Sequence, residues 1–438
     1  MTRGRWVRRF ASRNGLLLGL VAAVALAAAA LAAALLSGSR PPAGRGGPTL
    51  YTPDRARYPT ASANYTWTVR LAQSRSANGR IIAAHDNGLN YGTDGSSEPL
   101  GIHLYRSDDD GQTWSDLPIL ADARHGWQLY QPALLELPIS IGDGANILPA
   151  GTILLSALAL GPAPHGLPSP FGAELEVYAS ADLGATWTYI SPCDSIPDSI
   201  QVFGAGLWEP TLSLDRANRL ICFFSDERFG KSTGGPDGTG HVSQSISHRV
   251  SADGGRTWGS EVFDVAVGDG TQRPGMPQVI RLPDGMFMMV YEVCGQPDCQ
   301  VRFRMSADGA GWGAETDLGT SIASSDGMQP GHTPYVTWSP AGGPNGVLFV
   351  SSMHVSNGYG AKQPESGRVI FTNTNLGRGT WTRVAAPLTI GFGTGECPGW
   401  RQALEVSRSG TALLQLAPVA LNHGSACEIR FATGAIGG

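Results

Sequence analysis

The segment SDDDGQTW, Ser107 to Trp114, reads as a tight turn with a fixed internal chemistry, and the chain repeats it. SADLGATW follows at Ser180–Trp187, SADGGRTW at Ser251–Trp258, a shortened SADGAGW at Ser306–Trp312, and a faint TNTNLGRGTW at Thr372–Trp381. Successive copies begin 73, 71, 55 and 66 residues apart. The aspartate in such a turn caps backbone N–H groups, the glycine supplies a positive φ, and the tryptophan has the bulk to pack between neighbouring sheets. Asp108-Asp109-Asp110-Gly111 also resembles half of a calcium loop. That loop needs a bidentate glutamate late in its twelve residues, and the other copies supply none. These turns are expected to hold the fold rather than perform chemistry.

A second repeat lies between the turns. Six hairpins align when their turns are superimposed, opening at Arg70, Gln131, Glu209, Met276, Thr333 and Arg401. Four of them reach the turn after the same interval of 10 residues: Arg70 to Arg80, Glu209 to Arg219, Met276 to Met286 and Arg401 to Thr411. Several carry proline directly after the opening residue, which suits the start of a strand where an N–H is not needed. The composition agrees: 59 glycines, 30 prolines and only 15% charged residues in 438 favour turns over amphipathic helices. Short apolar runs such as IIAAH, LICFF, MFMMVYEV and GVLFV recur without helical periodicity after residue 36. The expected fold is all-β, a six-bladed β-propeller of four-stranded blades filling residues 61–438 as one catalytic domain.

The N-terminus is a separate matter. Arg3, Arg5, Arg8, Arg9 and Arg13 precede an uncharged run from Gly15 to Leu36, the pattern of an export signal. Residues 15–36 also match the ~20 residues needed to span a bilayer, so residues 1–36 are expected to be a signal peptide or a signal-anchor helix. Residues 37–60, rich in Gly, Pro and Arg, read as a solvated linker. The protein is then exported, either extracellular or anchored at the cell surface. Six cysteines fit an oxidising compartment, with Cys294–Cys299, Cys397–Cys427 and Cys193–Cys222 as expected pairs. There is no CxxC, and the nine histidines lack ligand spacing, so no metal or cofactor is expected. A net charge of −5 without a basic block argues against nucleic acid. A monomer is expected.

In a propeller the first strand of every blade lines the central channel and the second returns to the same face. The opening residues therefore converge with the ends of the return strands, which bring His85, Asp86, Ser225, Tyr291 and Glu292. Trp208, His332 and Trp400 flank the openings. Glycoside hydrolysis needs two carboxyl groups, one a proton donor and the other an ionised nucleophile or base. Glu209 and Glu292 supply them from adjacent blades, each beside an aromatic of the kind that stacks on sugars. Glu292 stands in an otherwise apolar strand, where its charge is costly unless paired. Arg70, His85, Asp86, Gln131, Trp208, Tyr291, His332, Trp400 and Arg401 are the expected substrate contacts. A structural alternative is that each glutamate merely pairs with a mouth arginine.

The pattern S-x-D-x-G-x-T-W is an Asp box and resembles the repeat of sialidase-type propellers. In sialidases an arginine in an Arg-Ile-Pro motif opens the first blade and joins two others around a substrate carboxylate, and a tyrosine of the last blade is the nucleophile. Here Arg70 is followed by Leu71-Ala72, blades 4 and 5 open with Met276 and Thr333, and the last blade carries Trp400-Arg401. The chain is more similar to the exo-acting α-L-arabinanases of glycoside hydrolase family 93. That resemblance is carried by LWEP at Glu209, MVYEV at Glu292, NGRIIAAHDN at residues 78–87 and ECPGW at residues 396–400. It implies a retaining enzyme that releases arabinobiose from the end of linear α-1,5-linked arabinan, without a metal, using Glu209 and Glu292 in roles left open. Loops 87–98 and 230–240 are expected to close the exo end. The alternatives are a sialidase with a rearranged clamp or another propeller glycosidase, and a non-catalytic glycan-binding propeller at the cell surface.

Overall fold

Alternating inner and return strands, each too apolar on both faces to stand alone, build a ring of six sheets. The structure, a computed structural model, describes residues 46–58, 61–87, 101–161, 171–200, 206–228, 232–233, 241–242, 244–267, 272–295, 299–390, 397, 399–421 and 426–436. The expected signal or anchor segment and most of the two loops expected at the exo end lie outside the described residues. Among the described residues no helix is long and apolar enough to cross a membrane.

Blade 1 consists of Asn64–Arg70, Ile81–Asp86, Ile102–Ser107 and Ser115–Leu120, paired antiparallel in that order. Blades 2 and 3 repeat the order from Gln128–Glu136 and Leu207–Leu214, and blade 5 from Tyr335–Ser339. Blade 4 begins at Arg273–Arg281 and is irregular at its outer edge, where Gln300–Ser306 pairs with both Thr320–Ser321 and Gln329–Gly331. Blade 6 uses Ala403–Val406, Ala412–Ala420 and Cys427–Ala435, and its fourth strand is Thr49–Tyr51 from the far end of the chain. This corrects the expected linker over 37–60: residues 49–51 are part of the propeller and close the ring. Each inner strand packs against the inner strand of the next blade, the sixth against the first.

The return strands are sandwiched between blades, which explains their unbroken apolar runs. Ile153–Leu160 and Leu220–Asp226 are buried throughout. One core joins blades 2 and 3 around Leu158, Leu175, Leu207 and Phe224, and another joins blades 3 and 4 around Phe223, Phe287, Tyr291 and Trp312.

The Asp-box turns behave as their chemistry requires. Ser107 Oγ donates to Asp109 Oδ1 (2.8 Å) and accepts from the Gly111 amide (2.9 Å). Asp109 also accepts from Thr113 N (2.9 Å) and Thr113 Oγ1 (2.6 Å). The same bonds recur at Asp182 and Asp253. In the fifth copy Asn373 Oδ1 takes over, accepting from the amides of Asn375 and Gly377. Gly111 has φ +83°, and a Cβ there would stand 2.6 Å from the Leu414 side chain of blade 6, so a larger residue would strain the turn and displace that leucine. The three disulfides are those expected: Cys193–Cys222, Cys294–Cys299 and Cys397–Cys427.

Candidate active site at the channel mouth

Every inner strand opens with a residue in the left-handed region. These are Tyr65, Gln131, Glu209, Met276, Thr333 and Arg401, with φ between +49° and +58°. Non-glycine residues avoid this region at a cost of about 1–3 kcal/mol each. In blades 1 to 4 a β-bulge accompanies it, between Asn64 and Trp67, Tyr130 and Ala133, Trp208 and Thr211, and Gly275 and Gln278. The distortion turns the opening amide toward the preceding blade, where an acceptor waits for it. Tyr65 N donates to Trp400 O (3.0 Å), Gln131 N to Asp86 Oδ2 (2.9 Å) and Glu209 N to Gln131 Oε1 (2.8 Å). Met276 N donates to Glu209 Oε2 (3.1 Å) and Thr333 N to Glu292 Oε2 (2.6 Å). A buried amide left without an acceptor costs about 1–3 kcal/mol, so this relay offsets part of the strain. The polar residues of the mouth are thereby fixed by backbone geometry.

Blade 1 therefore opens with Tyr65, which corrects the placement of Arg70 at the mouth. Arg70 is paired with Ile81 at the opposite end of its strand, whereas Asn64 pairs with Asp86. There the Arg70 guanidinium binds Asp110 (2.5 Å) and Glu405 (3.5 Å) and donates to the carbonyls of Gly79 (2.8 Å) and Val406 (2.9 Å). Tyr65 was missed because the hairpin of blade 1 carries an extra 3-10 turn, Arg75–Ala77. Aligning on the turn slid the reading along the strand; counting back from Asp86 through the ladder would have found Tyr65.

His85 and Tyr291 also move off the substrate list. His85 is buried, with Nδ1 on Asp86 O (2.8 Å), Nε2 on the Tyr105 hydroxyl (3.1 Å) and its ring 4.7 Å from that of Tyr51. Tyr291 is fully buried in the core between blades 3 and 4, and its hydroxyl donates to Leu318 O (2.8 Å). Both follow from strand alternation: a neighbour of a channel-facing carboxylate points the other way. Trp208 is half-buried against the core of blades 2 and 3. Trp400 is half-buried with its ring 5.6 Å from that of Tyr65, and His332 is half-buried with its ring 5.3 Å from that of His354.

What the mouth brings together is Tyr65, Asp86, Gln131, Glu209, Ser225, Glu292 and Arg401. Glu209 Oε2 accepts from Ser225 Oγ (2.7 Å) as well as Met276 N, and its Oε1 lies 3.4 Å from the Tyr65 hydroxyl. Burial raises its pKa and the charge of Glu292 adds to the rise, while Ser225, Arg401 and the Met276 amide oppose it. Glu292 has the Thr333 amide as its strong donor, and burial pushes its carboxyl up to about 7 against the pull of that amide, Arg401 and Arg273. The Tyr65 hydroxyl is held protonated by burial and by the charges of Glu209 and Asp86. Arg401 is buried, with its guanidinium 5.0 Å from the Trp67 ring, and Nε and Nη2 make no hydrogen bond among the described residues. Its charge acts on Glu209 and Glu292 through space. Arg273 is occupied by Glu227 and by Gln244 Oε1 (2.9 Å). A three-arginine clamp is not assembled from the described residues.

Among the described residues one cluster has metal-ligand proximity, Cys294, Cys299 and His332, but its two sulfurs are joined in the disulfide.

The sequence matches no family model and no curated protein. Solved structures do match. The α-L-arabinanase of Penicillium chrysogenum, complexed with arabinobiose, is similar over 90% of this chain and 99% of its own, at 27% identity and a TM-score of 0.69. The family 93 α-L-arabinofuranosidase of Fusarium graminearum with arabinobiose is similar over 90% and 98%, at 26% identity and a TM-score of 0.69. A Hadza microbial sialidase, at 16% identity and a TM-score of 0.53, shares the fold alone. The chain is a sialidase-like six-bladed β-propeller, similar in structure to the arabinanase and arabinofuranosidases of the glycoside hydrolase family 93 type.

Proposed function

We propose that this protein is an exo-acting glycoside hydrolase that releases arabinobiose from the end of linear α-1,5-linked L-arabinan, with retention of anomeric configuration. The observation that carries the reading is the unequal treatment of two neighbouring carboxyl groups. Glu209 accepts from Ser225, Met276 and Tyr65, and Ser225, the Met276 amide and the Arg401 charge oppose the rise that burial and Glu292 impose on its pKa. Glu292 has a pKa of about 7 and so holds a proton through the mildly acidic range. Pairs of titratable groups whose surroundings push them apart are the usual acid/base division. The similarity to two arabinobiose complexes supports the choice of substrate.

In this reading Glu292 donates its proton to the glycosidic oxygen as the bond to the anomeric carbon breaks. The Glu209 carboxylate attacks that carbon to form a glycosyl-enzyme, and water activated by the ionised Glu292 releases it. Tyr65 and Ser225 keep the attacking oxygen from rotating away. Trp400, whose ring lies 5.6 Å from that of Tyr65, is the aromatic surface placed for a sugar ring. Secretion or surface anchoring through residues 1–36 agrees with a polymeric substrate outside the cell and remains part of the proposal.

A panel of linear arabinan, branched arabinan and a sialoside, with products separated chromatographically, tests the assignment. Arabinobiose as the first product from linear arabinan is expected. Hydrolysis of the sialoside instead, or glycan binding without hydrolysis of any of them, would move the protein to one of the other classes.

A further inference from the structure

The Cys294–Cys299 disulfide closes a sequence separation of 5, against 29 and 30 for the other two. A disulfide across so short a loop removes the least entropy from the unfolded chain. The hairpin it crosses is already held by a ladder that runs from Phe287↔Ser306 to Val293↔Gln300. It adds little to folding, so its place in the molecule calls for another reason.

That place is beside Glu292. Cys294 follows Glu292 by two residues on the same return strand. Across the disulfide, Cys299 has φ +45°, and its carbonyl accepts from the amide of His332 (3.0 Å). His332 and Thr333 are consecutive left-handed residues, φ +61° and +49°, and the Thr333 amide is the one that binds Glu292 Oε2 at 2.6 Å. A closed circuit results: Glu292, Cys294, the sulfur–sulfur bond, Cys299, His332, Thr333 and back to Glu292. Three residues in a costly backbone conformation lie on it, and strain of this kind persists only where the surroundings over-determine it.

We propose that the Cys294–Cys299 disulfide is a positioning device for Glu292. It fixes the Cys299 carbonyl that orients the His332–Thr333 backbone, and so holds the amide that sets the direction and proton affinity of the Glu292 carboxyl. Its role as an aid to the acid/base group rests on the proposed hydrolase reading. The other charged groups facing Glu292 are Glu209, Arg273 and Arg401, none of which is attached to the circuit.

Cys294 is half-buried, whereas Cys193, Cys222, Cys397 and Cys427 are buried, so this bond is the more open of the three to selective reduction. Dithiothreitol would supply two electrons and two protons, leaving two thiols and its own cyclic disulfide. The test uses full-length protein labelled with carbon-13 at the glutamate side-chain carboxyl, oxidised, reduced at this bond alone as verified by mass, and as the C294S/C299S variant. Glu292 is assigned by comparison with E292Q. Losing the amide donor raises the Glu292 pKa by about one unit, and kcat on linear arabinan falls about tenfold with KM little changed. Reoxidation restores both in the wild type. An unchanged Glu292 pKa on reduction overturns the proposal whether or not the protein cleaves arabinan. A changed pKa with no hydrolysis by the oxidised protein leaves the positioning intact and removes the hydrolase reading instead.

Discussion

The two ends of the blades, the Asp-box turns between third and fourth strands and the channel mouth, carry the same functional group in opposite states. At the turn end, Asp109 and Asp253 are wrapped by donors from their own loops, and their carboxyls are pulled down to about 2. At the mouth, Glu292 has one strong donor and is pushed up to about 7 by burial. The first group is satisfied and inert. The second is held between its two protonation states, at a cost to the fold. The fold thus separates, by the length of one strand, carboxyls held ionised by their own turns from carboxyls raised by burial.

The largest difference between the ends should be catalytic. E209Q and E292Q are each expected to lower kcat on arabinan by about a thousandfold or more, as loss of a nucleophile or of general acid catalysis does. D109A should leave kcat unchanged while losing about 1–2 kcal/mol of stability with its turn bonds. Steady-state kinetics beside urea denaturation reads both.

The arginines at the two ends offer the next comparison. Removing Arg401 takes away the cation that draws both mouth glutamates down, so R401M should shift the acid limb of kcat to higher pH and cut the rate at pH 6 about tenfold. R70M should leave the pH profile in place. It deprives Glu405, itself raised to about 7, of its partner, at about 3 kcal/mol in thermal or urea unfolding.

Stability against pH should carry opposite signs at the two ends. Glu292 binds its proton more tightly folded than unfolded, so the wild type loses stability as pH rises from 4.5 through about 7. E292Q should therefore be more stable than wild type by about 2 kcal/mol at pH 8, with the gap closing near pH 4. Asp109 has a depressed pKa, so its contribution is present above pH 4 and fades as pH falls through about 2. Denaturant midpoints across pH distinguish the two. The smallest effect is expected at Y291F, which loses the bond to Leu318 and about 1 kcal/mol of stability, with kcat unchanged within about twofold.

The turn end was legible in the sequence because its chemistry is local: serine, aspartate, glycine, threonine and tryptophan act on one another within eight positions. The mouth was legible where the hairpin length is standard, at Glu209 and Glu292, and failed where it is not. In blade 1 the extra turn at Arg75–Ala77 put Arg70 in the slot that belongs to Tyr65. The left-handed opening residues leave no compositional trace, since tyrosine, glutamine, glutamate, methionine, threonine and arginine share only a position. His85 and Tyr291 could have been excluded by alternation alone. Closure by Thr49–Tyr51 could not, because its partner Cys427–Ala435 is at the other end of the chain.

The central claim is that Glu209 and Glu292 together cleave arabinan at the channel mouth. One proton NMR time course of linear α-1,5-L-arabinan, with wild type, E209Q and E292Q in parallel, tests it most directly. The predicted result is arabinobiose appearing first as the α-anomer with wild type and no detectable product with either variant. Hydrolysis that persists in both variants, or a wild type inert toward arabinan, would contradict it.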